Sequence, residues 1–186
     1  MIYGKAKSKD IEAIASLFLF SFSKRIKDKF NIKINKKIAR EVIELYIDSG
    51  IFIVAKEKDK VIGFISAVKR LYSLFFNLFN LKRVHKSFLF LFYPRCLFIF
   101  PPSFLHLFRS HIVTLAVDKK YQKKKIALNL VKKIFSELKN QKIKLVYFQI
   151  PSTDKKFVDK FLEYKCEIVK KLDGWLIMRR NLLKPI

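Results

Sequence analysis

The chain has 186 residues, enough for one ordinary domain with a sizeable core. Its 51% hydrophobic and 30% charged residues exclude a disordered or fibrous polymer. Forty Lys+Arg against 15 Asp+Glu leave a net charge of +25, which calls for a negatively charged partner: a CoA or sugar nucleotide, an anionic membrane, or nucleic acid.

Ile2 to Ala6 reads as a short first strand. Ser8 stands where a helix N-cap belongs, and Asp10 and Glu12 fall in the first turn, where carboxylates suit the helix dipole. Apolar residues at Ile11, Ile14, Ala15, Leu17, Phe18 and Phe22 carry that helix to about Arg25. A second helix is predicted from Lys36 to Asp48, burying Ile38, Val42, Ile43, Leu45 and Tyr46, with Gly50 ending it. Ile51 to Ala55 and Val61 to Val68 are β-branched runs separated by the polar turn KEKDK, a hairpin signal.

Residues 69–110 break the scheme. They are dense in Phe and Leu, but Lys82–Arg83, Lys86, Pro94–Arg95, Pro101–Pro102 and Arg109 cut every apolar run short of the ~20 residues a spanning helix needs. The segment reads as a hydrophobic helical insertion between the third and fourth strands of a single domain spanning 1–186. After it come a strand at His111–Val117, a helix from about Lys125 to Lys139 and a strand at Ile143–Ile150. A helix at Asp154–Tyr164 and a closing pair, Glu167–Lys171 with Trp175–Arg179, complete the chain. The order β, α, α, β, β, β, α, β, α, β, β is that of a mixed α/β sheet with helices on its faces.

The two cysteines, Cys96 and Cys166, lie far apart and match no metal or redox spacing, so both read as packing residues of a reduced, cytosolic protein, with no metal. The N-terminus MIYGKAKSKD shows no apolar stretch before a small-residue cleavage site, and no signal peptide is predicted.

Chemistry concentrates where the fourth strand meets the following helix. The stretch runs Leu115, Ala116, Val117, Asp118, Lys119, Lys120, Tyr121, Gln122, Lys123, Lys124, Lys125, Ile126, Ala127 and Leu128. Strand, loop and helix N-terminus in that order form a diphosphate cradle, because the first backbone N–H groups of a helix lack internal partners and the dipole adds attraction. The pattern resembles the GNAT superfamily of acyl-CoA-dependent acyltransferases, whose site has the form (Gln/Arg)-x-x-Gly-x-(Gly/Ala) after a strand ending in Val. The resemblance extends over the order of elements in the whole chain and implies a GNAT-like fold, with acetyl-CoA or another acyl-CoA as co-substrate. It implies that Leu115, Ala116, Val117, Gln122, Lys123, Lys124, Lys125, Ile126 and Ala127 hold that co-substrate. Lys125 departs from the pattern by standing at the central Gly.

A second signature of the family, N-x-x-A…Y-x-K-x-G-F, corresponds to Asp154 through Cys166. Asp154 replaces Asn, Phe161 stands at the Tyr that protonates the leaving thiolate, and Lys165–Cys166 replace Gly-Phe. A one-step shift makes Tyr164 the candidate acid. The implied chemistry is direct attack of an amine on the thioester carbonyl, with a backbone N–H near Leu115–Val117 polarising that carbonyl. The base candidate is His111, whose ordinary pKa is near neutrality, with His85 and His106 behind it, and Thr114 is a candidate to orient a water.

The insertion admits three uses: a helix lying on an anionic membrane surface, a cap over the acceptor, or a homodimer contact. In Leu71–Leu81 the polar Ser73, Asn77 and Asn80 form one narrow stripe between Lys69–Arg70 and Lys82–Arg83, which favours peripheral docking on the inner membrane face. An amino sugar or lipid-linked amine is then the expected acceptor. Two other classes compete: a catalytically inactive module that keeps CoA binding, and a nucleic-acid binder. No nucleic-acid motif is present, and the lysines are not interleaved with aromatics.

Overall fold

The computed structural model describes residues 1–31, 33–70, 109–122 and 125–185. Among these residues, seven strands and four α-helices follow in chain order: β1 (Ile2–Lys5), α1 (Ile11–Phe30), α2 (Lys36–Ser49), β2 (Gly50–Glu57), β3 (Lys60–Val68), β4 (Ser110–Val117), α3 (Ile126–Asn140), β5 (Leu145–Pro151), α4 (Lys155–Glu163), β6 (Cys166–Leu172) and β7 (Trp175–Asn181). They form one mixed sheet in the order β1-β2-β3-β4-β5-β7-β6, in which β4 and β5 are parallel and the other neighbours antiparallel.

Helices cover both faces, so the central strands are apolar on both sides, as a doubly covered sheet requires. One core packs Ile14, Phe18, Ala39 and Ile43 of α1 and α2 onto Phe52, Val54, Phe64 and Ala116. The other packs α3 and α4 onto Ile53, Ile65, Val146, Phe148 and Met178. In α3 the residues Ile126, Leu130, Ile134 and Leu138 recur every fourth position and are all fully buried. That single stripe is why the segment is a helix and why it lies on the sheet. Each such side chain contributes about 1.5–3 kcal/mol on burial.

Several boundaries depart from the sequence reading for local reasons. Ser8 is not the cap of α1: a short 3-10 turn, Ser8–Asp10, precedes the helix, and the Asp10 carboxylate reaches back to accept from the Lys7 amide at 2.9 Å. The same carboxylate accepts from Lys56 Nζ at 2.6 Å, so a buried acid ties the start of α1 to β2. Asn35 caps α2 by accepting from the Ile38 amide. Gly50 does not end α2 as a left-handed cap, because its φ of −163° is extended and it opens β2. Glycine is needed there for closeness, since a Cβ would collide with the Ala67 carbonyl oxygen. The hairpin turn is tighter than KEKDK, with Lys58 (φ 47°) and Asp59 (φ 63°) alone linking the pair Glu57 and Lys60.

Most of the 69–110 insertion lies outside the described residues, and with it His85, His106, Cys96 and the stripe read as a membrane-surface helix. Among the described residues no helix is long and apolar enough to cross a membrane.

Candidate active site

Two irregularities in β4 create the site. The first is a bulge: Ser66 pairs with Thr114 but Ala67 pairs with Ile112, so Val113 is an extra residue on β4. The inserted residue changes which face the side chains take. Leu115 and Val117 join the α3 core, whereas His111 and Thr114 both belong to the α1 face. Thr114 Oγ1 and Ser66 Oγ lie 2.7 Å apart on that face, so the candidate water-orienting hydroxyl is engaged with Ser66.

The second irregularity is divergence. β4 pairs with β5 only at Ser110–Val146 and His111–Tyr147. Beyond His111 the two parallel strands separate, and Ile112 to Leu115 are left half-buried in a wedge. Backbone groups of β4 that face this wedge have no strand partner. Backbone N–H groups held in fixed positions of this kind are what an oxyanion site requires.

At the open end of the wedge the chain turns into α3. Asp118 anchors the loop three ways: its amide donates to the Ile62 carbonyl at 2.9 Å, its carboxylate accepts from the Lys120 amide at 3.0 Å, and its carbonyl accepts from the Tyr121 amide. Gln122 Nε2 donates back to the Val117 carbonyl at 3.3 Å, closing the loop across its mouth. Tyr121 is held by a hydrogen bond to Glu57, and that carboxylate raises its phenol above the usual range. Lys123 and Lys124 lie outside the described residues.

Lys125 adopts φ 57°, ψ 14°, the left-handed conformation that glycine takes most easily, and its side chain is exposed. A left-handed backbone is thus adopted by a lysine whose side chain is exposed, at the position where the signature has glycine. No side chain caps α3, and the first helical bond returns from the Asn129 amide to the Lys125 carbonyl at 3.1 Å. The amides of Ile126, Ala127 and Leu128 precede that bond and form the positive end of the helix dipole.

The candidate base and acid lie on opposite faces of the sheet. His111 is buried, with Nδ1 2.9 Å from the Arg109 carbonyl oxygen and its ring stacked on Tyr147 (centroids 5.7 Å apart, 28° between planes). A carbonyl can only accept, so Nδ1 carries a proton, and a base at this ring would act through Nε2. Tyr164 is the C-cap of α4, half-buried against the α3 core, with the Lys132 ammonium 5.4 Å from its ring centroid. Phe161 is fully buried between Phe148 and Phe157, where it serves the core and offers no hydroxyl. Asp154, which stands where the signature has Asn, caps α4 by accepting from the Phe157 amide at 3.2 Å.

Three residues of this neighbourhood were not singled out by sequence: Ser66, Tyr147 and Arg179. Arg179 donates to Glu167 at 2.6 Å and is hydrogen-bonded to Tyr147; the carboxylate first, and the phenol after it, raise its pKa. The same pair holds the Glu167 carboxyl below its usual range. Among the described residues no three His, Cys, Asp or Glu side chains gather as a metal site.

A sheet opened between two parallel strands, a bulge beside the opening and an uncapped helix after it are the marks of an acyl-CoA-binding acetyltransferase fold. The profile of the Acetyltransferase (GNAT) family matches residues 11–158, and the chain belongs to that family. Solved structures with the same fold include an aminoglycoside 6'-N-acetyltransferase complexed with coenzyme A, at 12% identity and TM-score 0.63, covering 100% of this chain and 99% of that one. They also include a ribosomal-protein-alanine N-acetyltransferase from Brucella melitensis (13% identity, TM-score 0.62, 97% and 99% covered). A third is smu.2055 from Streptococcus mutans UA159 (18% identity, TM-score 0.63, 98% and 99% covered). No curated protein matches the chain by sequence.

Proposed function

We propose that the chain is an acyl-CoA-dependent N-acetyltransferase that carries an acetyl group from acetyl-CoA to an amine. The observation that carries the reading is the wedge between β4 and β5, which leads directly to the uncapped N-terminus of α3 behind Lys125. Pyrophosphate oxygens take the amides of Ile126, Ala127 and Leu128, with Gln122 and Lys125 around them, and the pantetheine arm runs along Leu115–Val117 toward the bulge. The thioester carbonyl then meets the unpaired N–H groups of β4.

The acceptor amine approaches from the α1 face and attacks the thioester carbon, its ammonium proton passing to Nε2 of His111 directly or through a water. The tetrahedral intermediate collapses with breakage of the C–S bond, giving an amide and CoA thiolate, to which Tyr164 offers its hydroxyl proton from the other face. A positioned proton donor or acceptor contributes ~10²–10⁴-fold.

An amino sugar, free or lipid-linked, is the proposed acceptor class. Its support is the net charge of +25 and the Phe/Leu-rich 69–110 sequence, whose Leu71–Leu81 stretch lies between basic pairs, which together suit work beside an anionic membrane. The sugar-borne amine that the name of one structural neighbour specifies agrees with it.

The test is thiol release from acetyl-CoA over a panel of amino sugars, polyamines and N-terminal alanine peptides, with His111→Gln and Tyr164→Phe beside the wild type. Turnover with at least one amine, cut at least ~10-fold by each substitution, is the expected result. Acetyl-CoA binding without turnover on any amine instead identifies a binding module. Unchanged rates in either variant remove that residue from the mechanism.

A further inference from the structure

We propose that Tyr147, Arg179 and Glu167 are positioning residues that hold the His111 ring in one orientation and one tautomer; the proposal rests on the reading of His111 as the base.

The register of three strand pairs sets four side chains in one line across the sheet. His111 of β4 is opposite Tyr147 of β5, Tyr147 is opposite Arg179 of β7, and Arg179 is opposite Glu167 of β6. Their strand neighbours Val146, Phe148 and Met178 face the α3 core, so this row lies on the α1 face. Each link is a contact. The Glu167 carboxylate accepts from Arg179 Nη2 at 2.6 Å, Arg179 is hydrogen-bonded to Tyr147, and the Tyr147 ring stacks under the His111 ring.

The guanidinium is a flat fork, and with a carboxylate on one side and a phenol oxygen on the other its plane is fixed. The phenol oxygen is then pinned at its far end, which fixes the plane of the Tyr147 ring. That ring is the floor on which the imidazole lies, while the Arg109 carbonyl holds one edge through Nδ1 at 2.9 Å. The floor and this edge bond together hold the plane of the imidazole, with Nδ1 donating to the carbonyl. The far end of the row reaches the edge strand, where Lys184 Nζ also lies 3.9 Å from Glu167.

A purely structural reading of the row is weak on magnitude. The Arg179 and Glu167 side chains are 38% and 49% exposed, and ion pairs so open to water add little to stability. What the row does supply is geometry at the point where β4 leaves β5. His111 is the last β4 residue paired with β5, one residue before the wedge opens. A base there has to be aimed, because a small misplacement of a reacting group costs far more rate than stability.

The experiment is nitrogen-15 NMR of histidine-labelled full-length protein, with the His111 ring signals assigned by their loss in His111→Gln. The wild type is expected to show one tautomer, protonated at Nδ1. Tyr147→Leu removes the floor and Arg179→Gln its anchor, and each is expected to give a mixture of tautomers. Glu167→Gln and Tyr147→Phe, which keep the floor, are expected to fall between. Melting temperatures of Arg179→Gln and Glu167→Gln should stay within a few degrees of wild type, so either variant carries the test if Tyr147→Leu does not fold. An unchanged His111 tautomer in Arg179→Gln and Tyr147→Leu overturns the positioning role, whatever His111 does. Unchanged turnover in His111→Gln overturns the base reading instead, and the row's catalytic purpose with it.

Discussion

Replacing Lys125 by glycine should stabilise the protein, an unusual outcome for glycine at the start of a helix. Lys125 sits at φ 57°, ψ 14° with its side chain in solvent, so no contact in the fold compensates the left-handed backbone. A β-carbon in that region costs roughly 1–2 kcal/mol. Glycine removes this cost but widens the unfolded ensemble by about 0.4–1 kcal/mol, and it is a good N-cap residue in its own right. The difference leaves Lys125→Gly more stable by ~0.5–1 kcal/mol. For a chain of this size 1 kcal/mol moves the midpoint by ~2–4 °C, so a rise of ~1–4 °C is expected. Thermal unfolding followed by far-ultraviolet circular dichroism at fixed pH and salt measures it. Lys125→Ala, which keeps the β-carbon, serves as control and should leave the midpoint nearly unchanged. A midpoint lowered by Lys125→Gly, as glycine lowers it in an ordinary helical site, refutes the left-handed assignment and with it the glycine-like geometry of the loop.

Two further outcomes follow from buried groups. Asp10→Ala should destabilise by ~3–5 kcal/mol, because it strands the Lys56 ammonium in a buried site and frees the Lys7 amide. Burial alone pushes the Asp10 carboxyl up, but Lys56 and the Lys7 amide outweigh it and hold its pKa below the ordinary value. The stabilisation is therefore full above the unfolded carboxylate range and lost as pH falls from there through the lower folded pKa. Urea titrations of wild type and variant should accordingly stand furthest apart near neutrality and draw together as pH falls below about 4. Burial pushes the Cys166 thiol up to about 12. In a Cys96→Ser background, Cys166 should resist disulfide reagents at pH 8 until the protein unfolds. Because its folded pKa is raised, its contribution is intact below about pH 8.5 and declines as pH climbs from there. Midpoints measured from pH 8 to 11 should thus fall more steeply for Cys96→Ser than for Cys96→Ser/Cys166→Ala.

How much of this was legible in the sequence differs between elements and site. The order of strands and helices was, since the α3 stripe and the β2–β3 hairpin carry strong local periodicities. The strand, loop and helix that carry the proposed phosphate cradle were legible in succession, because such a cradle is a property of a helix N-terminus and not of any one side chain. Asp10 as a cap was missed because its bond to the Lys7 amide is reinforced by Lys56, 46 positions away. The row from His111 to Glu167 was hidden for the same reason in stronger form. It depends on registers between four strands, on β7 lying between β5 and β6, and on a bulge at Val113 that puts His111 and Thr114 on one face. None of these leaves a local pattern of residue types. That Lys125 takes a glycine's conformation was also invisible, since lysine carries no preference for it.

Acyl-CoA is proposed to bind in the wedge with its diphosphate at the start of α3, and calorimetric titration of acetyl-CoA into the protein is the test of that binding. Two charges at about 4 Å in water interact by ~1 kcal/mol, so reversing the charge in Lys125→Glu should cost ~2 kcal/mol, roughly 30-fold in Kd. Micromolar binding to the wild type, weakened by about that factor in Lys125→Glu, is the predicted result. Absence of binding for acetyl-CoA and longer acyl-CoAs alike, or equal affinity in the two proteins, would contradict the account.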